Sequence, residues 1–512
     1  MSFLRLFSVI FLSVYVFNAQ AQLVKSEEVI GQVAETESFF HVFSNADSSL
    51  YFFKKNQHKV RDKQALWEVS KFNQALEEVA HQQYYLSSRE DLIGYDTNGQ
   101  DIFLLFTEDL EHIRKLTLYQ MPLFGQQALK EFKIDLPFQL KMQAYETVGT
   151  HMVLAGDVNE KAVVVLYDLT NGQLKVVRNH YNEKSRLLSL TIDDATQTFK
   201  TVTIFRHRQA KYEVRLSIFD ETGKELLKHQ FLTPENQNFL SATTQTLPNF
   251  DELLVATYAE GGANMEDYAK GVMVCRLPLR GEQQFQKIPF GALRNYYGYL
   301  PLDKQEKMQK KKKKRSSSSK DMNVMNRMIL SSRKTGFGEY AFYGEFFYPT
   351  YRALQEGMSA LNTIVNQTQV YRFSHNMMVV FDAQGNLLWD RAFPLNDHEQ
   401  FVLKGAGAFA YLPEDHAVMI YKEEDELKGY EVSLLGDGEI TAGREFSLMG
   451  LPEDYANNQQ YSGAGGEIMH WYGNHFYHYG VYDPMGKGRE PFFFLQKYSW
   501  TPVVEGKAGS VE

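Results

Sequence analysis

Apolar and polar residues alternate along much of this chain with the two-residue period of a β-strand. In the segment Tyr212–Ile218, the polar residues Glu213 and Arg215 lie between apolar positions, and Tyr430–Leu434 repeats the pattern. Other segments, such as Val163–Tyr167, are continuously apolar. The alternation predicts strands buried on one face, and the continuous runs predict strands covered on both faces.

Many of these strands run into a turn in which an aromatic residue and an aspartate are followed by a glycine. The turn is clearest at residues 167–172, 219–223 and 381–385. Aspartate can accept a hydrogen bond from the backbone two residues on, and glycine adopts the positive φ that closes such turns. The turn glycines recur at intervals of about fifty residues, with one double interval: Gly125, Gly172, Gly223, Gly281, Gly385 and Gly438.

A period near fifty residues with four strands in each repeat is typical of β-propeller blades. The sequence therefore predicts an all-β protein, a β-propeller of about eight four-stranded blades over residues 22–502. Seven blades are the alternative, because residues 64–82 also fit one face of a helix. The predicted blades cover residues 37–86, 88–137, 139–181, 186–233, 237–290, 327–394, 401–448 and 461–500. The last blade contains only three strands, and we expect residues 23–30 to add its missing outer strand.

Two segments interrupt the repeat. Residues 303–322 contain a lysine run followed by serines, and such a composition predicts a disordered loop. Residues 351–366 place Leu354, Met358, Leu361 and Val365 at helical spacing, which predicts a short helical insertion. Residues 503–512 are expected to form a flexible tail.

The first 21 residues have the pattern of a cleavable signal peptide. Arg5 is followed by an apolar run and then by Ala19-Gln20-Ala21, a small-residue cleavage site. The sequence thus predicts export to the periplasm or cell exterior, with an uncleaved anchor as the alternative. No later segment is apolar enough to span a bilayer. Cys275 is the only cysteine, which excludes an intramolecular disulfide.

Charge and motifs exclude several functional classes. The net charge of −9 argues against nucleic acid as a partner. The chain lacks Gly-x-Ser-x-Gly and His-Glu-x-x-His, and His475 and His478 would point to opposite faces of a strand. We therefore expect no metal, no cofactor and a monomer.

One aromatic-rich segment is the predicted ligand-binding site. Aromatic side chains with polar tips suit sugar faces or peptide side chains. Its candidate residues are Trp471, Tyr472, His475, Tyr477, His478 and Tyr482. The alternative is that these residues fill the gap between neighbouring blades. The sequence favours a non-catalytic binding or scaffold protein that recognises a glycan, peptide or protein partner through its loop face. A hydrolase or lyase acting at the axial funnel is the alternative, and it would gather acidic, histidine or tyrosine side chains there.

The hairpin Phe381-Asp382-Ala383-Gln384-Gly385-Asn386-Leu387-Leu388-Trp389 resembles hairpins of bacterial secreted β-propeller proteins of the quinoprotein-like kind. The resemblance covers one hairpin in each blade and implies the fold. In quinoprotein enzymes a tryptophan recurs from blade to blade, whereas this chain has only 4 tryptophans. The resemblance therefore implies a propeller without a quinone cofactor.

Overall fold

The computed structural model shows a chain built almost entirely from antiparallel strands. It describes residues 22–32, 37–45, 47–61, 63–98, 101–109, 113–122, 129–177, 184–207, 211–260, 268–315, 327–334, 338–353, 367–400, 407–412, 416–423, 426–434, 440–447, 461–484 and 492–501. The predicted signal peptide and C-terminal tail lie outside these residues. Within them, no helix is long and apolar enough to cross a membrane.

Among the described residues, sixteen strands lie between Gln22 and Leu232. They are β1 (Gln22–Gln32), β2 (Glu37–Ser44), β3 (Leu50–Arg61), β4 (Gln64–Phe72), β5 (Glu78–Ser87), β6 (Asp91–Thr97), β7 (Asp101–Thr107), β8 (Ile113–Pro122), β9 (Lys130–Val148), β10 (His151–Asp157), β11 (Ala162–Asp168), β12 (Leu174–Val177), β13 (Ser185–Asp193), β14 (Thr198–Arg206), β15 (Tyr212–Asp220) and β16 (Glu225–Leu232).

The described residues after Leu232 add fifteen strands and one α-helix. They are β17 (Asn238–Thr246), β18 (Glu252–Ala259), β19 (Gly271–Leu277), β20 (Gln284–Pro289), α1 (Leu302–Arg315), β21 (Arg327–Lys334), β22 (Tyr340–Ala353), β23 (Gln367–Phe381), β24 (Leu387–Gln400), β25 (Gly407–Leu412), β26 (His416–Glu423), β27 (Glu426–Ser433), β28 (Ile440–Ser447), β29 (Tyr461–Tyr472), β30 (His475–Pro484) and β31 (Phe492–Thr501).

Most sheets contain four strands in chain order. These are β2-β3-β4-β5, β13-β14-β15-β16, β17-β18-β19-β20, β21-β22-β23-β24 and β25-β26-β27-β28. A seven-stranded sheet runs from β6 to β12, and the 19-residue strand β9 is shared by its two halves. The last sheet has the order β1-β31-β30-β29.

Neighbouring sheets contact one another through one strand of each sheet. Strand β13 contacts both β9 and β17, β17 contacts β21, and β25 contacts β29. These strands therefore lie innermost, and in the sheets that follow chain order the fourth strand lies outermost. Consecutive four-stranded antiparallel sheets arranged in this way have the architecture of a β-propeller.

The predicted aspartate–glycine turns are confirmed where the structure describes them. The backbone N–H groups of Thr170, Thr222 and Gln384 donate to the Oδ1 atoms of Asp168, Asp220 and Asp382 at 2.8, 3.0 and 2.9 Å. Gly172, Gly223 and Gly385 have φ values of 72°, 73° and 86°. The turns at Gly125 and Gly438 lie outside the described residues.

The prediction that alternating strands are buried on only one face is wrong. In β15, the polar residues Glu213 and Arg215 are buried together with their apolar neighbours and form an ion pair. In β27, Glu431 is fully buried and accepts a hydrogen bond from Trp500 Nε1 at 2.7 Å. Other sheets pack against both faces of such a sheet, as they do for the sheet that contains β15. Polar positions of a strand can therefore be buried as well as apolar ones.

The predicted pairing of the chain ends is confirmed, and the helical alternative for residues 64–82 is wrong. Strand β1 pairs antiparallel with β31, with Leu23 opposite Trp500 and Val29 opposite Leu495. Residues 64–72 and 78–87 form the paired strands β4 and β5.

The prediction of a disordered loop over residues 303–322 is wrong for its first part, which belongs to helix α1. Lys307 and Lys310 lie 3.7 and 3.6 Å from the carboxylates of Asp303 and Glu306, one helical turn earlier. Such pairs stabilise an exposed helix. Met308 also packs against the apolar core. Residues 316–322 lie outside the described residues.

The predicted helical insertion at residues 351–366 is wrong at its start, because residues 351–353 continue strand β22 opposite residues 367–369 of β23. The remaining residues, 354–366, lie outside the described part of the chain.

Candidate functional site

The six predicted ligand-binding residues lie on strands β29 and β30. Trp471 is buried, and its Nε1 donates to the backbone oxygen of Ser48 at 3.1 Å. The hydroxyl of Tyr477, also buried, donates to the backbone oxygen of Val42 at 3.4 Å. Both acceptors belong to the sheet that begins with β2. Trp471 and Tyr477 therefore pack between two neighbouring sheets, as the alternative interpretation predicts.

The other members of this segment differ in exposure. His478 is buried against Phe494, with ring centroids 4.9 Å apart, and burial lowers the pKa of its imidazole to about 3. Tyr472 and His475 are half-buried, and His475 Nδ1 lies 2.8 Å from Ser499 Oγ. The side chain of Tyr482 lies outside the described residues. Among the candidate residues whose side chains the structure describes, Tyr472 and His475 thus combine an aromatic ring with partial exposure.

A different group of side chains lines a cavity of about 470 Å³ between the inner strands β6 and β9, and we call it the tyrosine–glutamate cavity. Its lining includes Ile93, Tyr95, Met142, Gln143, Tyr145 and Glu146. A volume of this size is within the range of small-molecule sites. The cavity therefore brings together tyrosine and carboxylate side chains from the two halves of the seven-stranded sheet.

The two tyrosines of this cavity are held by packing. The ring of Tyr145 lies over Gly94, where an added Cβ atom would overlap it. The ring of Tyr95 stacks on Phe43 with centroids 4.2 Å apart and lies 4.6 Å from the ring of His41. Burial raises the pKa of Tyr95 to about 12 and also raises that of Tyr145. Both hydroxyls are therefore neutral at physiological pH.

Glu146 titrates near neutrality. Burial, together with the charges of the Asp96 and Asp194 carboxylates, raises the pKa of its carboxyl to about 7. Asp96 accepts hydrogen bonds from the backbone N–H and the hydroxyl of Thr147, both at 2.5 Å. Burial raises the pKa of Asp96, and these hydrogen bonds act in the opposite direction. The cavity thus combines a protonatable glutamate with a nearby, firmly held aspartate.

A second cavity of about 370 Å³ lies at the amino-terminal ends of the inner strands β13 and β17, and we call it the basic cavity. Its lining includes Glu160, Lys184, Arg186, Arg206, Tyr212 and Asn238. Arg186 Nη2 donates to the backbone oxygen of Phe239 at 2.6 Å and to Asn238 Oδ1 at 3.3 Å. Lys184 forms an ion pair with Glu160.

Asp157 connects the two cavities. The side chain of Gln143, in the tyrosine–glutamate cavity, donates a hydrogen bond to Asp157. Burial raises the pKa of Asp157, and the charge of Arg186, in the basic cavity, partly offsets that effect. The Asp157 carboxylate, at the end of β10, therefore interacts with one lining residue of each cavity.

Sequence reasoning did not select either cavity. The basic cavity is assembled from strands of different sheets, and the tyrosine–glutamate cavity lies between β6 and β9, which are not paired with each other in their sheet. The sequence does not show which residues of unpaired strands face each other. One local signal was present: Lys184 and Arg186 are two residues apart, which places them on the same face of an extended segment.

Comparison with known proteins gives no match to a family model and none to a curated protein. Among solved structures, the chain is similar to Sqt1 of Chaetomium thermophilum, with 10% sequence identity and a TM-score of 0.40 over 90% of this chain and 95% of that one. It is also similar to the β-propeller domain of the Trilobed protease from Pyrococcus furiosus, with 11% identity and a TM-score of 0.35 over 82% of this chain and 98% of that one.

Proposed function

We propose that this protein is an exported, non-catalytic β-propeller that binds a glycan in the tyrosine–glutamate cavity. The cavity itself is the observation that carries the proposal. Its size suits a small ligand, and it offers two fixed tyrosine rings together with polar groups. Aromatic rings pack against the apolar faces of sugars, while their hydroxyl groups form hydrogen bonds.

The proposed propeller has eight blades in a closed ring. The seven-stranded sheet provides two four-stranded units that share β9, and the other sheets each provide one. The pairing of β1 with β31 supports closure, because it joins the first strand of the chain to the last blade. The proposed secretory signal places the site outside the cytoplasm, and sequencing of the exported protein should give Gln22 as its first residue.

The polar groups of the cavity match the hydroxyl groups of a sugar. Neutral tyrosine hydroxyls both donate and accept hydrogen bonds, and the Gln143 side chain adds an amide. Glu146 is half-protonated near pH 7, since its pKa is about 7. The cavity therefore offers donors and acceptors in the mixture that a polyhydroxylated ligand requires.

Binding of a panel of neutral oligosaccharides, measured by calorimetry, tests this proposal. The substitution Tyr145→Ala should weaken binding by up to about tenfold, because it removes a stacking surface worth about 0.5–1.5 kcal/mol. Tyr85→Ala is a matched control, since Tyr85 is half-exposed on the outer strand β5 and lies outside the cavity. Loss of binding in Tyr472→Ala rather than in Tyr145→Ala would move the site to the aromatic segment of β29 and β30.

A hydrolase or lyase is the second candidate function. One observation favours it: a glutamate with a pKa of about 7 has the protonation behaviour of a general acid or base, and the Asp96 carboxylate influences it. Product formation from any oligosaccharide of the panel, abolished by Glu146→Gln without loss of binding, would establish an enzyme. Binding without product formation would support the first proposal.

A further inference from the structure

We infer that the basic cavity binds the carboxylate or sulfate group of an acidic oligosaccharide whose neighbouring units occupy the tyrosine–glutamate cavity. This inference rests on the proposed glycan-binding function and names the class of glycan. It is carried by the charge, the fixed geometry and the position of the basic cavity.

The charge of this cavity is opposite to that of the whole chain. Lys184, Arg186 and Arg206 contribute positive charges to its lining, whereas the chain carries a net charge of −9. Glu160 is the carboxylate of the lining, and it forms an ion pair with Lys184. A local excess of positive charge on an acidic protein concentrates anions at that place.

Arg186 is fixed at the cavity wall. Its Nη2 donates to Phe239 O at 2.6 Å and to Asn238 Oδ1 at 3.3 Å, and both acceptors belong to β17. A guanidinium held by such hydrogen bonds keeps its orientation before a ligand arrives. Planar guanidinium groups match the paired oxygens of carboxylates and sulfates.

The outer part of the cavity is accessible. The side chains of Lys184 and Arg206 are exposed at the ends of β13 and β14. The carboxylate of Asp157 lies close to both cavities, because it accepts a hydrogen bond from Gln143 and interacts electrostatically with Arg186. A chain of sugar units passing Asp157 can therefore place an uncharged unit beside the tyrosines and an acidic unit beside the arginines.

Calorimetry on the purified full chain tests this inference with three probes: neutral galactotriose, trigalacturonate and sulfated galactotriose. We expect at least one acidic probe to bind about tenfold more tightly than the neutral one, because charge-assisted hydrogen bonds are stronger than neutral ones. Comparison of the two acidic probes distinguishes carboxylate from sulfate recognition. The difference in affinity between the acidic and neutral probes should decrease as the salt concentration rises.

Arg206→Gln and Lys184→Gln should each remove most of the difference in affinity between the acidic and neutral probes. Neither substitution should change the affinity for the neutral probe. Both side chains are exposed, so these variants should fold. Lys224→Gln is the matched control, since Lys224 is exposed in the turn between β15 and β16, at the other end of the sheet. Equal affinities for all three probes would overturn the inference, as would an advantage that both cavity variants retain.

Failure of the inference and failure of the proposed function give different results. If neutral galactotriose binds and Tyr145→Ala weakens it while acidic groups add nothing, only the inference fails. If the acidic probes bind through Arg206 and Lys184 but Tyr145→Ala has no effect, the glycan site in the tyrosine–glutamate cavity fails and anion recognition stands.

Discussion

The ring of Tyr145 packs directly over the backbone of Gly94, so the absence of a side chain at position 94 determines where the tyrosine lies. The substitution Gly94→Ala should displace the ring and cost about 1–3 kcal/mol of unfolding free energy, as overpacking usually does. The same substitution should also weaken the binding of any ligand in the tyrosine–glutamate cavity. Chemical denaturation measures the first effect. Gly31→Ala, where an added Cβ meets no atom within 4 Å, should leave stability almost unchanged.

Glu146→Gln should increase stability in a pH-dependent way. The pKa of Glu146 rises from its ordinary value of 4.5 to about 7 on folding, so the folded state binds more protons than the unfolded state between these pH values. As the pH rises through this window, the wild-type free energy of unfolding should therefore fall by about 1.4 kcal/mol per pH unit relative to that of the variant. Denaturation at pH 4, 6 and 8 measures the difference. A pH-independent difference would contradict the prediction, and Glu131→Gln, an exposed change on the same strand, serves as control.

His375→Phe should have the opposite pH dependence. His375 lies stacked between Tyr299 and Phe346, with centroids 3.9 and 4.2 Å away, and burial lowers its pKa from 6.5 to about 3. Between these values the unfolded state binds more protons, so the wild type loses stability as the pH falls. The variant should lose about 1.4 kcal/mol less per pH unit in this window. Acid denaturation monitored by circular dichroism tests this, with the exposed His81→Phe as control.

Removal of residues 22–32 should destabilise the last sheet and the core beside it. Leu23 is buried in the core cluster that contains Trp500, and Lys497 Nζ lies 3.2 Å from Glu27. Loss of the strand exposes this apolar surface and an unpaired edge at β31, at a cost of about 3–5 kcal/mol. Thermal unfolding measures the change. An unaltered melting temperature would show that β1 contributes little, and removal of residues 503–512 provides the control.

Local sequence signals predicted the strands and turns well because their causes are local. The hydrogen bond from Thr222 to Asp220 and the positive φ of Gly223 depend on a few adjacent residues. The pairing of β1 with β31 was also predictable, because the last blade lacked a strand and the first segment of strand character lacked a partner.

The candidate sites were less predictable because they depend on which sheets become neighbours. The sequence showed Trp471 and Tyr477 as an aromatic group but not that the backbone oxygens of Ser48 and Val42 would accept their hydrogen bonds. In the same way, Tyr145 meets Gly94 only after the two halves of the seven-stranded sheet have packed together. The lysine run predicts disorder from its composition, but its first part forms a helix. Acidic residues one turn before Lys307 and Lys310 stabilise that helix.

Strand β9 couples the unfolding of the two halves of the seven-stranded sheet. Its residues Lys130–Asp135 and Leu140 pair with β8, and those from Lys141 to Val148 pair with β10, without an intervening loop. One of these pairings cannot unfold fully without disturbing the strand that forms the other. In native-state hydrogen exchange, the amides of β8 and β10 should therefore open together, as one cooperative element that spans both halves of the seven-stranded sheet.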